Sequence, residues 1–393
     1  MSALTGTPIR VGIVGVGNWA RHGHLRVLSM LPQYQVTAVF SQRRDAAEAA
    51  AREYGIAHVV DSLDALVGHP DVDLVVVLNT APQHAASVRA AIAAGKDVYC
   101  EWPLTPSTAT SMELVQLARQ AGVRTLLGAQ RRLAPHNRYL ADLLREGYVG
   151  ALRSARLHVS MNYFQPQLPK SLAWTVPPEN FSSMVAIYAG HFLDMLFTAI
   201  GWPDRIQVTA VNQFPVITII ETGEQIQTTN ADEFVLTGTY PDGAIVTAHF
   251  EGGKRNGSGV QLDITGTRGD LRISNSSSFG DVGDDYRVFG AQGDQLELRA
   301  MPVPSRYDSL PPGSGLPSAV LELAHNYVAF ANDQRDGTKT APTFEDGVRL
   351  HRLFDAAAVA ASTGQRVTFD SGLRSPDRSN ARTDSPAVDA SLS

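Results

Sequence analysis

The chain has 393 residues, a formal net charge of −6 and 44% hydrophobic residues. That length supports two domains and a sizeable core, and an acidic balance without a basic block excludes nucleic acid as an expected direct ligand. The single cysteine, Cys100, excludes an internal disulfide and speaks against a thiolate-held metal cluster. No apolar run approaches a membrane span and no charged-then-apolar leader opens the chain, so the expectation is a cytoplasmic protein with no membrane association.

Residues 11–14 read as a short strand, Gly15, Val16 and Gly17 as a turn, and the amphipathic run to residue 31 as a helix. A Gly-x-Gly turn at such a junction lets a pyrophosphate approach the backbone, where the helix start favours its charge. Ala20 supplies the third small position of Gly15-x-Gly17-x-x-Ala20. Asn18 and Trp19 open the helix and join the candidate cofactor residues. A tight turn that binds nothing is the plainer alternative. His22 and His24, two apart and without a carboxylate set, do not make a metal site.

A second strand follows at residues 36–40, and its end faces the adenosine ribose in a dinucleotide fold. An acidic residue there would bind the 2′-hydroxyl of NAD. Ser41, Gln42, Arg43 and Arg44 stand there instead, ahead of Asp45. A hydroxyl and two guanidiniums suit a 2′-phosphate, which favours NADP, with NAD as the alternative. Either arginine is otherwise a solvated residue at the start of the next helix.

The alternation continues. Helices are expected at residues 46–54, from a Ser62 cap to 67, at 85–94 and at 107–121. Strands are expected at 58–60, 72–78, 97–100 and 124–127. Thr80, Pro82 and His84 follow the strongly apolar strand at 72–78, where the ligand crevice of an open α/β sheet lies. This predicts a doubly wound parallel sheet over residues 1–129.

From Gln130 the pattern changes. A helix at 135–147 precedes strands at 151–161, 205–211, 232–240, 244–250, 260–265 and 269–274, with an apolar helix at 184–200 between them. Helices at 318–333 and 344–363 follow. These make a second, α+β domain over 130–370 with an antiparallel or mixed sheet. The stretch 162–181, with Tyr163 and Trp174, is irregular and suited to lining a cleft. Residues 275–278 are polar and loop-like. Residues 305–318 form a mobile loop over a site or a plain connector. The tail at 371–393 has few apolar residues and no period, which predicts disorder. No nucleophile triad or phosphate-loop lysine motif supports a hydrolase or a kinase.

Several motifs, in this order and spacing, resemble the Gfo/Idh/MocA family of nicotinamide-dependent oxidoreductases. They are Gly15-Val16-Gly17, Thr80-Ala81-Pro82-Gln83-His84, the run from Ala94 to Glu101-Trp102-Pro103, Gln130-Arg131-Arg132 and Gly190-His191-Phe192-Leu193-Asp194. The resemblance covers residues 8–365. It implies an α/β Rossmann domain, a C-terminal α+β domain with an open, mostly antiparallel sheet, and a cleft between them. It also implies a sugar or polyol substrate and assembly as a dimer or tetramer through the open sheet. Glu101 would approach the nicotinamide ribose, with Trp102, His84 and Gln130 beside the cofactor.

Two departures stand against these matches. The family's usual lysine in Glu-Lys-Pro is Trp102, and the aspartate often found four residues before the active-site histidine is Ile187. The hydroxyl proton released in a hydride transfer needs an acceptor, and an indole is none at neutral pH. His191 is the remaining candidate acid/base, with Tyr188 as a relay and Asp194 to orient it. The plainer alternatives are a buried structural histidine bonded to the backbone for His191, core packing for Tyr188, and a cap or local hydrogen bond for Asp194. The Trp102 combination resembles a subgroup that includes the galactose-pathway transcriptional repressor of yeasts. Two functions follow: an NAD(P)-dependent oxidoreductase with an altered acid/base arrangement, or a catalytically silent dinucleotide-binding sensor or co-regulator that acts through protein partners.

Overall fold

The computed structural model describes residues 7–162, 165–277, 285–294, 297–310 and 314–372. The tail from residue 373, Tyr163, Ser278, Pro311, Pro312 and Gly313 lie outside the described residues.

The first domain is built on β1 (Ile9–Val14), β2 (Tyr34–Phe40), β3 (His58–Val59), β4 (Leu74–Val77), β5 (Asp97–Glu101) and β6 (Thr125–Gly128). All pair in parallel, in the order β3-β2-β1-β4-β5-β6. Every residue of β4 is buried, as a strand covered by helices on both faces requires. The strand order reverses between β1 and β4, so a crevice opens at their C-terminal ends. Gly15 takes φ 93° there, and a Cβ on it would stand 2.9 Å from the backbone nitrogen of Asn79. Only glycine lets the two loops close together.

The second domain centres on a nine-stranded sheet, mostly antiparallel, with one parallel pair between Leu152–Ser160 and Ile245–Glu251. Burial alternates along its strands, so one face is core and the other is open. Helices Gly190–Ile200 and Phe344–Thr363 pack on the core face through Phe192, Leu196, Leu353 and Phe354. The same core runs on through Trp102, Leu104 and Leu127 of the first domain, so the two domains share it.

Four features differ from the sequence reading. A three-stranded sheet of Gln167–Leu168, Val216–Ile219 and Gln225–Gln227 stands in and beside the stretch read as irregular. Its strands are too short for alternation to register. The helix expected at 184–200 contains a π-helical turn, Val185–Ala189, and the first helix contains another, Ala20–Leu25. Helix Ser318–Asp336, grouped by sequence with the second domain, packs into the first, with Leu323 and Tyr327 against Val11, Tyr99 and Leu126. Finally, Pro178–Ile200 spans 23 residues at a mean hydropathy of 1.4, enough by length and composition for a membrane span. It is 61% buried within the protein and broken by the left-handed Phe181, φ 48°, so it is core here.

Candidate functional site

The C-terminal ends of β1, β4, β5 and β6 bring Gly15, Gly17, Thr80, Glu101 and Gln130 to one crevice. At Gly17 a Cβ would meet nothing within 4 Å, so open space lies above that turn. Thr80 precedes helix Ala81–Ala93, whose Pro82 occupies the first turn, where no backbone N–H is missed. The Asn79 Oδ1 and Gln130 Oε1 atoms are buried acceptors without a hydrogen bond. Buried orphans of this kind call for a partner, and a bound ligand's donors would satisfy them.

Glu101 ends β5. Its Oε1 accepts from Trp19 Nε1 at 3.1 Å, from Tyr99 hydroxyl at 2.7 Å and from His24 Nε2 at 2.6 Å. Burial works to raise this carboxyl, but the bonds from His24 and Tyr99 outweigh it and hold the carboxyl below the usual glutamate range. Burial pushes the Tyr99 phenol well up, so it stays a donor. Sequence reasoning missed Tyr99 and the role of His24, because the bonds that unite them with Glu101 link separate elements.

Trp19 and Glu101 are therefore together, whereas Trp102 is a core residue, 4% exposed. Its indole N–H donates to the Ala186 carbonyl at 2.7 Å, and its ring packs on His351 at 4.9 Å and on Phe354 at 6.2 Å. A Cβ on Gly190 would stand 2.2 Å from the indole nitrogen, so Trp102 and Gly190 fit as a pair. Trp102 thus has no ring face or N–H left for a ligand, which corrects its assignment as a cofactor contact. His84, 2% exposed, sits between the Pro103 and Asn79 carbonyls, each 2.9 Å from a ring nitrogen. It ties the two loops that edge the crevice together. Burial lowers its pKa despite those carbonyls.

Arg43 and Arg44 diverge. A guanidinium N–H of Arg43 donates to the Val16 carbonyl at 3.1 Å, on the glycine turn, and its backbone N–H donates to Ser41 Oγ at 3.3 Å. Arg44 turns to Glu48 and Asp61 on the surface, which takes it out of the candidate anion site.

On the second-domain side, His191 stands in the first turn of helix Gly190–Ile200, just after the π-helical turn that carries Tyr188 and within electrostatic reach of Glu101. Among the described residues its ring makes no hydrogen bond. Burial, and then the Arg131 guanidinium, push its pKa down to about 4, against the pull of Glu101. Tyr188 packs half-buried against the main core. Asp194 does not orient His191: it is fully buried and accepts two hydrogen bonds from Arg132, whose remaining nitrogen reaches Asp346 at 3.3 Å. Burial would push the Arg132 guanidinium down, but those two carboxylates overcome it and raise its pKa. Arg131, also unassigned from sequence, lies over the Phe192 ring at 4.1 Å, donates to Tyr286 at 2.9 Å and lies 3.5 Å from Glu322.

Residues 9–129 match the model of an oxidoreductase family with an NAD-binding Rossmann fold, and residues 135–275 match that of the Gal80p C-terminal domain. The first domain thus matches the Gfo/Idh/MocA family, and the second domain resembles that of Gal80p. A dehydrogenase, aclE, from Aspergillus oryzae is 26% identical over 384 residues, 92% of this chain and 98% of that protein. The galactose/lactose metabolism regulatory protein GAL80 of Saccharomyces cerevisiae is 23% identical over 352 residues, 83% and 80% of the two chains. A levoglucosan dehydrogenase solved with NADH and levoglucosan shares the fold at a TM-score of 0.79 and 19% identity, covering 92% of this chain and all of that one.

Proposed function

We propose that this protein is an NAD(P)-dependent oxidoreductase acting on the CH–OH group of a sugar or polyol, with NADP favoured over NAD. The observation that carries this reading is His191, an imidazole without a hydrogen-bond partner among the described residues, held neutral and influenced by Glu101 and Arg131. The crevice residues fit a dinucleotide. Gly17 leaves room for a pyrophosphate above the turn that Gly15 closes, Ser41 and Arg43 suit a 2′-phosphate, and Thr80, Glu101 and Gln130 suit the nicotinamide half. A bound nicotinamide supplies or takes up the hydride. His191 handles the proton: its neutral ring accepts the hydroxyl proton in oxidation and the imidazolium returns it in reduction. The dehydrogenase relative and the neighbour holding NADH and levoglucosan support this class of chemistry. Copies would associate as a dimer or tetramer through the open face of the nine-stranded sheet.

The test is titration of cofactor-free protein with NADPH and NADH, followed by a panel of sugars and polyols. The expected result is tighter NADPH binding and substrate-dependent loss or gain of nicotinamide fluorescence. A loaded protein inert across the panel counts against the oxidoreductase.

A second reading has its own observation. Trp102 is sealed in the core and Asp194 is bound to Arg132, so neither offers the proton path that turnover needs. A silent dinucleotide sensor needs no proton path. It fits the Gal80p-like second domain, and it requires a protein partner whose affinity changes with the cofactor.

A further inference from the structure

Helix Ser318–Asp336 buries four polar side chains within six positions: Glu322, His325, Asn326 and Tyr327, exposed by 2%, 2%, 0% and 0%. A helix docked on a core ordinarily buries an apolar stripe and keeps its polar groups outside. Three of these groups hold parts of the crevice. Asn326 donates to the Leu127 carbonyl of β6 at 3.0 Å, Glu322 faces Arg131, and the Tyr327 hydroxyl lies 2.7 Å from His24 Nδ1.

The Tyr327 contact leads through His24 directly to Glu101. Glu101 is ionised and only accepts, so His24 must present its Nε2–H to Oε1. The Tyr327 O–H, 2.7 Å from the other ring nitrogen Nδ1, completes the contact. Burial raises the Tyr327 phenol well above its ordinary value, which keeps that proton in place. Tyr34 in turn donates to the Tyr327 carbonyl at 2.6 Å, and the Tyr327 ring stacks on Tyr99 at 5.3 Å. With Trp19, His24 and Tyr99 all on Oε1, that oxygen is saturated and Oε2 remains for a ligand.

We propose that Tyr327 and His24 are positioning residues that fix the Glu101 carboxylate so that its second oxygen meets the cofactor's ribose hydroxyls. The proposal rests on the dinucleotide reading above and adds a dependence that reading lacks. The Glu101 carboxylate is held, through His24, by a residue 303 positions away from His24 in sequence, on a helix that follows most strands of the second domain. Removing the Tyr327 hydroxyl leaves His24 Nδ1 without its partner and the ring free to tilt, which lets the carboxylate bonded to Nε2 shift.

The experiment measures NADPH and NADH dissociation constants and melting temperatures for the full chain, Tyr327→Phe, Glu101→Gln, their double variant, His24→Gln and His24→Leu. Tyr327→Phe is expected to weaken binding roughly tenfold, as loss of an outer-shell partner does at other ligand sites. It should add nothing further in the Glu101→Gln background, while its effect on melting temperature is the same in both. His24→Gln, which keeps an N–H donor, should bind more tightly than His24→Leu. Wild-type affinity in Tyr327→Phe, or an equal loss in both backgrounds, overturns the proposal and leaves the dinucleotide reading standing. A wild-type chain that binds no dinucleotide, or a Glu101→Gln variant that binds as wild type, removes the underlying reading and the proposal with it.

Discussion

The two sides of the cleft are held to opposite degrees. On the cofactor side, Glu101 takes three hydrogen bonds on one oxygen from three separate positions in the chain. On the other side, His191 has no hydrogen bond among the described residues, while Asp194 is locked into Arg132. A rigid carboxylate beside a loose imidazole suits a division of labour. Binding needs a fixed geometry, and proton transfer needs a group whose bonding can change within the reaction cycle.

The comparison is broken most severely at Arg132. Arg132→Ala strands the fully buried Asp194 and the partly buried Asp346, so stability should fall by about 3–5 kcal/mol in urea unfolding. A change below about 1 kcal/mol would mean that the pair is not a structural anchor. His191→Ala should cut turnover by about 10²-fold or more while leaving NADPH affinity unchanged. If affinity falls as far as turnover, His191 belongs to the binding side instead.

The glycine turn sharpens the same contrast. Gly15→Ala meets both a left-handed φ of 93° and backbone at 2.9 Å, so it should destabilise the fold by roughly 1–3 kcal/mol. Gly17→Ala meets nothing, so thermal melting should barely move while NADPH binding weakens by about tenfold or more. Arg43→Ala should narrow the preference for NADPH over NADH by roughly tenfold, and Arg44→Ala should leave it alone.

A further effect, shared among several buried histidines, is on pH dependence. Burial lowers His136 to about 3 and His191, His325 and His351 to about 4, from an ordinary 6.5. Between those values the unfolded chain binds more protons than the folded one. Stability should therefore be full above about pH 6.5 and decline as pH falls toward 4. A flat melting temperature across that window would contradict these burials.

The alternating pattern of the first domain was legible because strand and helix periods are local, and Gly15 marks a turn whose geometry few other residues tolerate. The second domain's long strands were legible for the same reason. The return of helix Ser318–Asp336 to the first domain was not, since its docking is decided by Tyr327, Glu322 and Asn326 meeting partners far away in sequence. Arg43 and Arg44 are identical in type and adjacent, and only the placement of Glu48 and Asp61 separates them. Trp102 and Gly190 likewise explain each other only once the indole is seen against the glycine.

The most direct test of the central claim is a pH profile of single-turnover oxidation in the NADP-loaded wild type and in His191→Ala, with whichever sugar or polyol the panel identifies. The expected result is a wild-type rate that falls as pH drops through about 4, where His191 becomes protonated, and a His191→Ala rate that is low at every pH with that limb absent. Equal rates and identical limbs in the two proteins would contradict the claim that His191 moves the proton.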